Sequence, residues 1–169
     1  SHILSNKFSQ FKDNIDIVIA ASQKGLSAPT GIAVISLLPE LYDKILEAKD
    51  YHYIYGTFFD YISNPIPYTP AINIIYALKQ STDSILNQSI DSVISKNIYV
   101  SKLVKNSLNN LGMEEYPYEG SDALSVFYTG NKNEFIDSSI LIEKLSKRTG
   151  LQISNGQDFL KNRVIRIGH

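Results

Sequence analysis

Lys24 has the setting that most invites chemistry. It follows the short β-branched apolar run Ile15-Asp16-Ile17-Val18-Ile19-Ala20-Ala21 and stands inside Ser22-Gln23-Lys24-Gly25-Leu26-Ser27-Ala28-Pro29-Thr30-Gly31, a segment of small residues, glycines and a proline. Lysine is ordinarily a solvated surface residue. At a strand end, held in a partly desolvated pocket, its pKa falls and the amine becomes a nucleophile that can condense with a carbonyl. On spacing alone both readings stand. The other candidates are thinner. His2, His52 and His169 are too scattered for metal-ligand spacing. The sequence contains no cysteine, which removes thiolate nucleophiles, disulfides, Cys-type zinc sites and iron–sulfur ligation. Taken by themselves, Thr69 is a turn residue before Pro70 and Arg166 a strand-end cation. Tyr51, Tyr53, Tyr55 and Tyr61 either line an entrance or pack against a partner.

The elements that must position these residues can be read from the pattern. Residues 15–21 read as a buried strand, and Ile32-Ala33-Val34-Ile35-Ser36-Leu37 as a second one directly after the turn. Pro39 opens a helix that carries Leu41, Tyr42, Ile45, Leu46 and Ala48 at helical spacing. From Asp50 to Thr69 the pattern dissolves into aromatics and prolines, too long a stretch for a simple connector. Helical periodicity resumes at Pro70 and runs, with interruptions, to about Leu111, where Gly112 is a natural stop. A strand over 123–129, a helix over about 133–148 ended by Gly150, and strands over 151–154 and 163–168 complete the chain. The order strand, helix, strand, strand suits a small α+β domain with helices on one face of a short sheet.

The 169 residues leave room for one ordinary domain or for pieces of two. With 43% hydrophobic and 20% charged residues, disorder and collagen-like structure are excluded. A formal charge of −1 gives no electrostatic case for nucleic acid or an anionic membrane. No run approaches the roughly 20 apolar residues of a membrane span, and the polar start Ser1-His2-Ile3-Leu4-Ser5-Asn6-Lys7 is unlike a secretory signal. A cytoplasmic location is the expectation.

The segment Ile15 to Ala33, with Ser22-Gln23-Lys24-Gly25 at its centre, closely resembles the cofactor-lysine segment of class V aminotransferases, pyridoxal-phosphate enzymes of fold type I. The alanine–glyoxylate and serine–pyruvate branch is the nearest. Two further segments match in order: Tyr68-Thr69-Pro70-Ala71-Ile72 leading into Ile75-Tyr76-Ala77-Leu78, and Leu160-Lys161-Asn162-Arg163-Val164-Ile165-Arg166-Ile167-Gly168-His169. The resemblance implies an α/β fold made of the end of the large cofactor-binding domain, residues 1–95, and a small carboxyl-terminal α+β domain, residues 96–169. It implies transamination between a small amino acid, of alanine or serine type, and a 2-oxo acid such as glyoxylate or pyruvate. Lys24 then matches the lysine that bonds the cofactor and shuttles the substrate Cα proton. Gln23 matches a residue that hydrogen-bonds the cofactor phosphate. Thr69 matches a hydroxyl that reaches the phosphate of the neighbouring subunit's cofactor, which implies a homodimer. Arg166 matches the arginine that clamps the substrate α-carboxylate, a task suited to a planar fork.

The departures are equally informative. The family's aspartate for the pyridine nitrogen, its phosphate loop and its stacking aromatic align upstream of Ser1, and its final helix aligns beyond His169. Ile66 stands where many relatives of the branch carry a phosphate-binding tyrosine, with Tyr68 close by. Gln23 and the lack of cysteine argue against cysteine desulfurases, which share the fold. A chain of this length is thus expected to be part of a larger enzyme. The rival reading is a non-catalytic fragment that folds or dimerises without turnover, and the third is an unrelated α/β binding module with a chance lysine turn.

Overall fold

The computed structural model describes residues 15–47, 60, 64, 66, 69–118, 120–131, 133–134 and 136–169, the side chains of 45–47 excepted. His2, His52, Tyr68 and the four loop tyrosines lie outside the described residues. The chain divides into two compact units, Ser1–Ser89 and Ile90–His169.

In the first unit, β1 (Ile17–Ala21) and β2 (Ala33–Leu37) form an antiparallel ribbon in which Ile17 faces Leu37, Ile19 faces Ile35 and Ala21 faces Ala33. Directly opposed residues share a face of a sheet, so Ile17, Ile19, Ile35 and Leu37 make one apolar surface. The expected burial of the first strand is not met: Ile17 is 48% exposed and Ile19 63%, while Ala20 is buried. A β-branched run records a side chain's demand for cover, and among the described residues the two-stranded ribbon supplies none on that face. Helix α1 (Glu40–Glu47) follows Pro39.

The periodic stretch after Pro70 becomes two helices, α2 (Ile72–Gln88) and α3 (Ile90–Asn110). They part at Ser89, whose φ of 65° lies in the left-handed region, with its N–H turned back to the Leu86 carbonyl. Helix α2 braces the lysine turn. Ser81 Oγ donates to the Leu26 carbonyl, and a Cβ on Gly31, at φ 136°, would meet Ile74 Cδ1 at 2.6 Å. Glycine suits position 31 chiefly for its backbone angle, since a Cβ there would also have to push the end of the Ile74 side chain aside.

The second unit contains α3, β3 (Leu124–Tyr128), α4 (Ser138–Thr149), β4 (Ser154–Asn155) and β5 (Val164–Gly168). The sheet order is β3-β5-β4, antiparallel throughout. Phe127 and Val164 are completely buried, and Tyr128, Ile165 and Ile94 are nearly so. At about 1.5–3 kcal/mol for each large apolar side chain, this cluster dominates the unit's cohesion. Residues 114–116 run beside β3 through Tyr116 N–H to the Val126 carbonyl and Tyr128 N–H to the Glu114 carbonyl.

Two boundaries differ from the sequence reading. Helix α4 begins at Ser138, not near 133, because Asn131 Oδ1 accepts from the N–H groups of Asn133 and Glu134 and holds them in a turn. Asp137 then caps the helix by accepting from Ser139 N–H at 2.9 Å. The strand expected over 151–154 shrinks to Ser154–Asn155. Leu151 N–H is still tied to Thr149 Oγ1, and the Gln152 amide to Ser146 Oγ, so both residues finish the helix end instead of joining the sheet. Gly150 ends α4 in the left-handed conformation, φ 73°, as its position suggests.

Candidate functional site

Ser22 builds the lysine turn. It is fully buried, its Oγ donates to the Pro29 carbonyl at 2.6 Å and accepts from Ile32 N–H at 3.3 Å. Its own N–H donates to the Ile32 carbonyl, and its carbonyl accepts from Ala28 N–H. One serine thus closes the loop between β1 and β2 by both backbone and side chain. Within it, Lys24 N–H bonds the Ala21 carbonyl at 3.1 Å, and the Lys24 carbonyl accepts from Ser27 N–H at 2.9 Å. The side chains of Lys24 and Gln23 are exposed, and no hydrogen bond or ion pair among the described residues engages either. The partly desolvated pocket raised for Lys24 is not found among those residues. What the turn provides is a fixed backbone with an amine free to take a new partner.

Thr69 lies in the same unit, exposed, immediately before Pro70 and the start of α2. Its hydroxyl has no partner among the described residues. Ile66 is exposed, with its N–H on Asn64 Oδ1.

Arg166 lies in the second unit at the centre of β5, opposite Val126 on β3 and Ser154 on β4. It is half-buried, and its guanidinium is tethered. Nε donates to the Asn155 carbonyl at 2.6 Å, and Nη1 donates to Gln157 Oε1 at 3.0 Å. Asn155 is itself tied on three sides: its Oδ1 accepts from Ser138 Oγ at 2.8 Å and from Asn162 N–H at 2.9 Å, while its Nδ2 donates to Asn162 Oδ1 at 2.7 Å. Sequence pattern alone does not reveal this role of residues 155–157. The one available signal was Asn-Gly-Gln lying between two strand candidates near a candidate arginine. Lys24, Gln23 and Thr69 thus belong to one unit and Arg166 to the other.

His169 completes the inventory. Its Nε2 lies 2.8 Å from the fully buried Ser125 Oγ, and its Nδ1 is buried without a partner among the described residues. Burial first and the Lys105 ammonium second hold its pKa below the ordinary imidazole value, with Asp122 opposing. Lys105 Nζ stands 3.1 Å from Glu115 Oε1, aligned as an ion pair and not as a hydrogen bond. Among the described residues no three His, Asp or Glu side chains gather as a metal site, and no helix is long and apolar enough to cross a membrane.

Pyridoxal phosphate, which the resemblance implies, asks of these segments an amine for its aldehyde carbon and donors for its phosphate. The Lys24 amine and the Thr69 hydroxyl, neither with a partner among the described residues, and the amide of Gln23 next to the lysine in the chain have the right chemistry, so the residues present fit the group.

The comparisons agree with the fold. The chain matches a carboxyl-terminal portion of the pyridoxal-phosphate-dependent aminotransferase structures. It superposes on pyridoxamine-pyruvate aminotransferase from Mesorhizobium loti with a TM-score of 0.83 at 19% identity, over 99% of this chain and 44% of that one. In sequence it is 28% identical to an uncharacterized aminotransferase of Methanocaldococcus jannaschii, over 94% of this chain and 42% of the relative. It is 24% identical to serine–glyoxylate aminotransferase of Arabidopsis thaliana, over 100% of this chain and 43% of the relative. No family model matches. The chain is thus similar in sequence to aminotransferases and shares their fold, and it spans well under half the length of the curated relatives it matches.

Proposed function

We propose that this chain serves a pyridoxal-phosphate-dependent aminotransferase that moves an amino group between a small amino acid, of alanine or serine type, and a 2-oxo acid such as glyoxylate or pyruvate. The observation that carries the proposal is the Ser22-closed turn, which fixes the Lys24 backbone and leaves its amine free. The relatives named for glyoxylate transamination support the choice of acceptor. In this reading residues 1–95 belong to the cofactor-binding domain and 96–169 to the small domain of a cytoplasmic homodimer.

Lys24, Gln23 and Thr69 would hold the cofactor, Thr69 from the neighbouring subunit. When bound, pyridoxal phosphate supplies an electron sink for the charge left at the substrate Cα. Lys24 is both anchor and base. With the group bound, the Lys24 amine would hold it and would also serve as the base that takes up and returns the substrate Cα proton. Gln23 and Thr69 would donate hydrogen bonds to the cofactor's phosphate oxygens. Arg166 receives the α-carboxylate through charge-assisted hydrogen bonds.

A second reading has one observation in its favour. The Lys24 amine and the apolar face of β1 and β2 are exposed among the described residues, which suits a chain that folds or dimerises without turning over substrate by itself. Spectroscopy separates the two. The 169-residue chain mixed with pyridoxal phosphate should show little of the long-wavelength absorbance of a lysine-bound cofactor. The full-length polypeptide should show it strongly, lose it on Lys24→Ala, and lose most transamination on Arg166→Ala. Full-length protein that neither binds the cofactor nor transaminates would sink the enzymatic reading.

A further inference from the structure

The Arg166 guanidinium is more constrained than a carboxylate clamp requires. An arginine fork has five N–H donors. Within the second unit the Nε donor goes to the Asn155 carbonyl and one Nη1 donor to Gln157 Oε1. Nη2 has no partner among the described residues. Two parallel bonds to a carboxylate need two neighbouring nitrogens of the fork. With Nε committed, the Nε/Nη2 edge cannot provide them, and only the terminal Nη1/Nη2 end can.

Both acceptors come from one short stretch, and that stretch is itself fixed. Asn155 is bound through its side chain to Ser138 at the start of α4 and to Asn162, where φ is 62°. Gly156 N–H donates to the Val164 carbonyl, and a Cβ at this glycine would collide with the Leu160 carbonyl. Gln157 therefore leaves a backbone that has little freedom to shift. Its amide oxygen meets Nη1, one of the two nitrogens that a carboxylate must use. The Asn155 contact fixes where the fork begins, and the Gln157 contact fixes how the fork is turned about its own axis.

The geometry points to Gln157 as a positioning residue for the substrate α-carboxylate, acting through Arg166 by fixing the turn of a fork that the Asn155 contact restricts to end-on capture. This deepens the proposed aminotransferase reading and rests on it for the identity of the carboxylate. The amide never touches substrate. It removes rotational freedom that would otherwise be lost on each binding event, so its effect falls on binding more than on the chemical step.

The test has two arms. In the 169-residue chain, nitrogen-15 NMR of the Arg166 side chain should resolve separate Nη signals, because the hydrogen bond slows rotation about the Cζ–Nη1 bond. In Gln157→Leu those signals should average, while the Nε–H held by Asn155 remains protected. In the full-length enzyme, Gln157→Leu should raise KM for both amino acid and 2-oxo acid, and the inhibition constant of acetate, about five- to tenfold, with kcat within about twofold. Gln157→Glu keeps an acceptor and should keep the Nη signals resolved, yet its carboxylate competes with substrate and raises KM. Unchanged Nη averaging in Gln157→Leu overturns the proposal, as does a kcat loss without a KM change. If Arg166→Ala leaves KM untouched, it is the carboxylate assignment itself that fails.

Discussion

Lys24 and Arg166 are held in opposite ways. At Lys24 the backbone is fixed while the side chain is exposed: the Ser22 hydroxyl closes the loop, and the amine has no hydrogen bond or ion pair among the described residues. At Arg166 the side chain itself is fixed, through Asn155 and Gln157. The contrast suits two kinds of work. A lysine that must release one partner, pick up a proton and return is hindered by every bond that holds its amine, so rigidity belongs one step back, in the chain that carries it. An arginine that only receives a carboxylate gains from being preset, because each rotation frozen beforehand is one not lost on binding.

The sharpest way to break this comparison is Lys24→Ala. In the full-length enzyme it should reduce turnover by about 10²–10⁴-fold, the usual contribution of a positioned acid–base group. The stability of the chain should change by no more than about 0.5 kcal/mol, because an exposed side chain with no described partner contributes little. Urea unfolding monitored by circular dichroism, beside turnover assays, measures both. A large loss of stability would show that the lysine is structural and the contrast false.

Gly156→Ala attacks the other side. The added Cβ meets the Leu160 carbonyl, which is backbone and cannot step aside cheaply, so the substitution should cost about 3 kcal/mol of stability. It should also displace the carbonyl and amide that hold Arg166, raising KM in the same variant. A stable Gly156→Ala protein with normal KM would mean that the 155–157 stretch is not the brace described here.

Ser22→Ala probes the lysine turn at smaller magnitude. Removing a fully buried hydroxyl leaves the Pro29 carbonyl without its donor and the Ile32 N–H with one acceptor fewer. The expected loss is about 1–3 kcal/mol, read as a lower urea midpoint with an unchanged slope. Cofactor absorbance of the full-length enzyme should weaken too, since the turn that presents Lys24 loosens.

The two regions also differed in how far the sequence revealed them. The ribbon of β1 and β2 and its lysine turn are local: an apolar run, small residues and a second apolar run, all within 15–37, so their pairing was visible from pattern. Gly112 and Gly150 likewise announce their helix ends through the left-handed angle each adopts. The Arg166 brace depends on Ser138, Asn155 and Asn162 side chains meeting across the fold. Such polar contacts leave no periodicity to read. The break at Ser89 was hidden for a related reason, since Ile85, Leu86, Ile90, Val93 and Ile94 keep the helical rhythm across it. Exposure of the β1 face could not be read at all, because composition reports what a side chain favours and not what lies against it.

His169 gives the smallest effect and tests whether the second unit's polar contacts carry stability beyond the Arg166 brace. Its pKa is lowered, first by burial and then by Lys105, so the folded protein favours the neutral imidazole more than the unfolded chain does. Between the folded and unfolded pKa values the unfolded chain binds more protons, and stability rises with pH across that window. The contribution is fully present above about pH 6.5 and is lost as pH falls through the folded value. The Asp122 carboxylate opposes the shift, and the ring is only partly buried, so the drop should be modest. Urea midpoints between pH 7.5 and 5.5 should fall more for the wild-type chain than for His169→Gln, which cannot titrate there and whose amide can still reach Ser125 Oγ. Equal slopes in the two proteins would show that the imidazole is indifferent to folding, and that the unit's polar architecture is concentrated around Asn155 and Arg166.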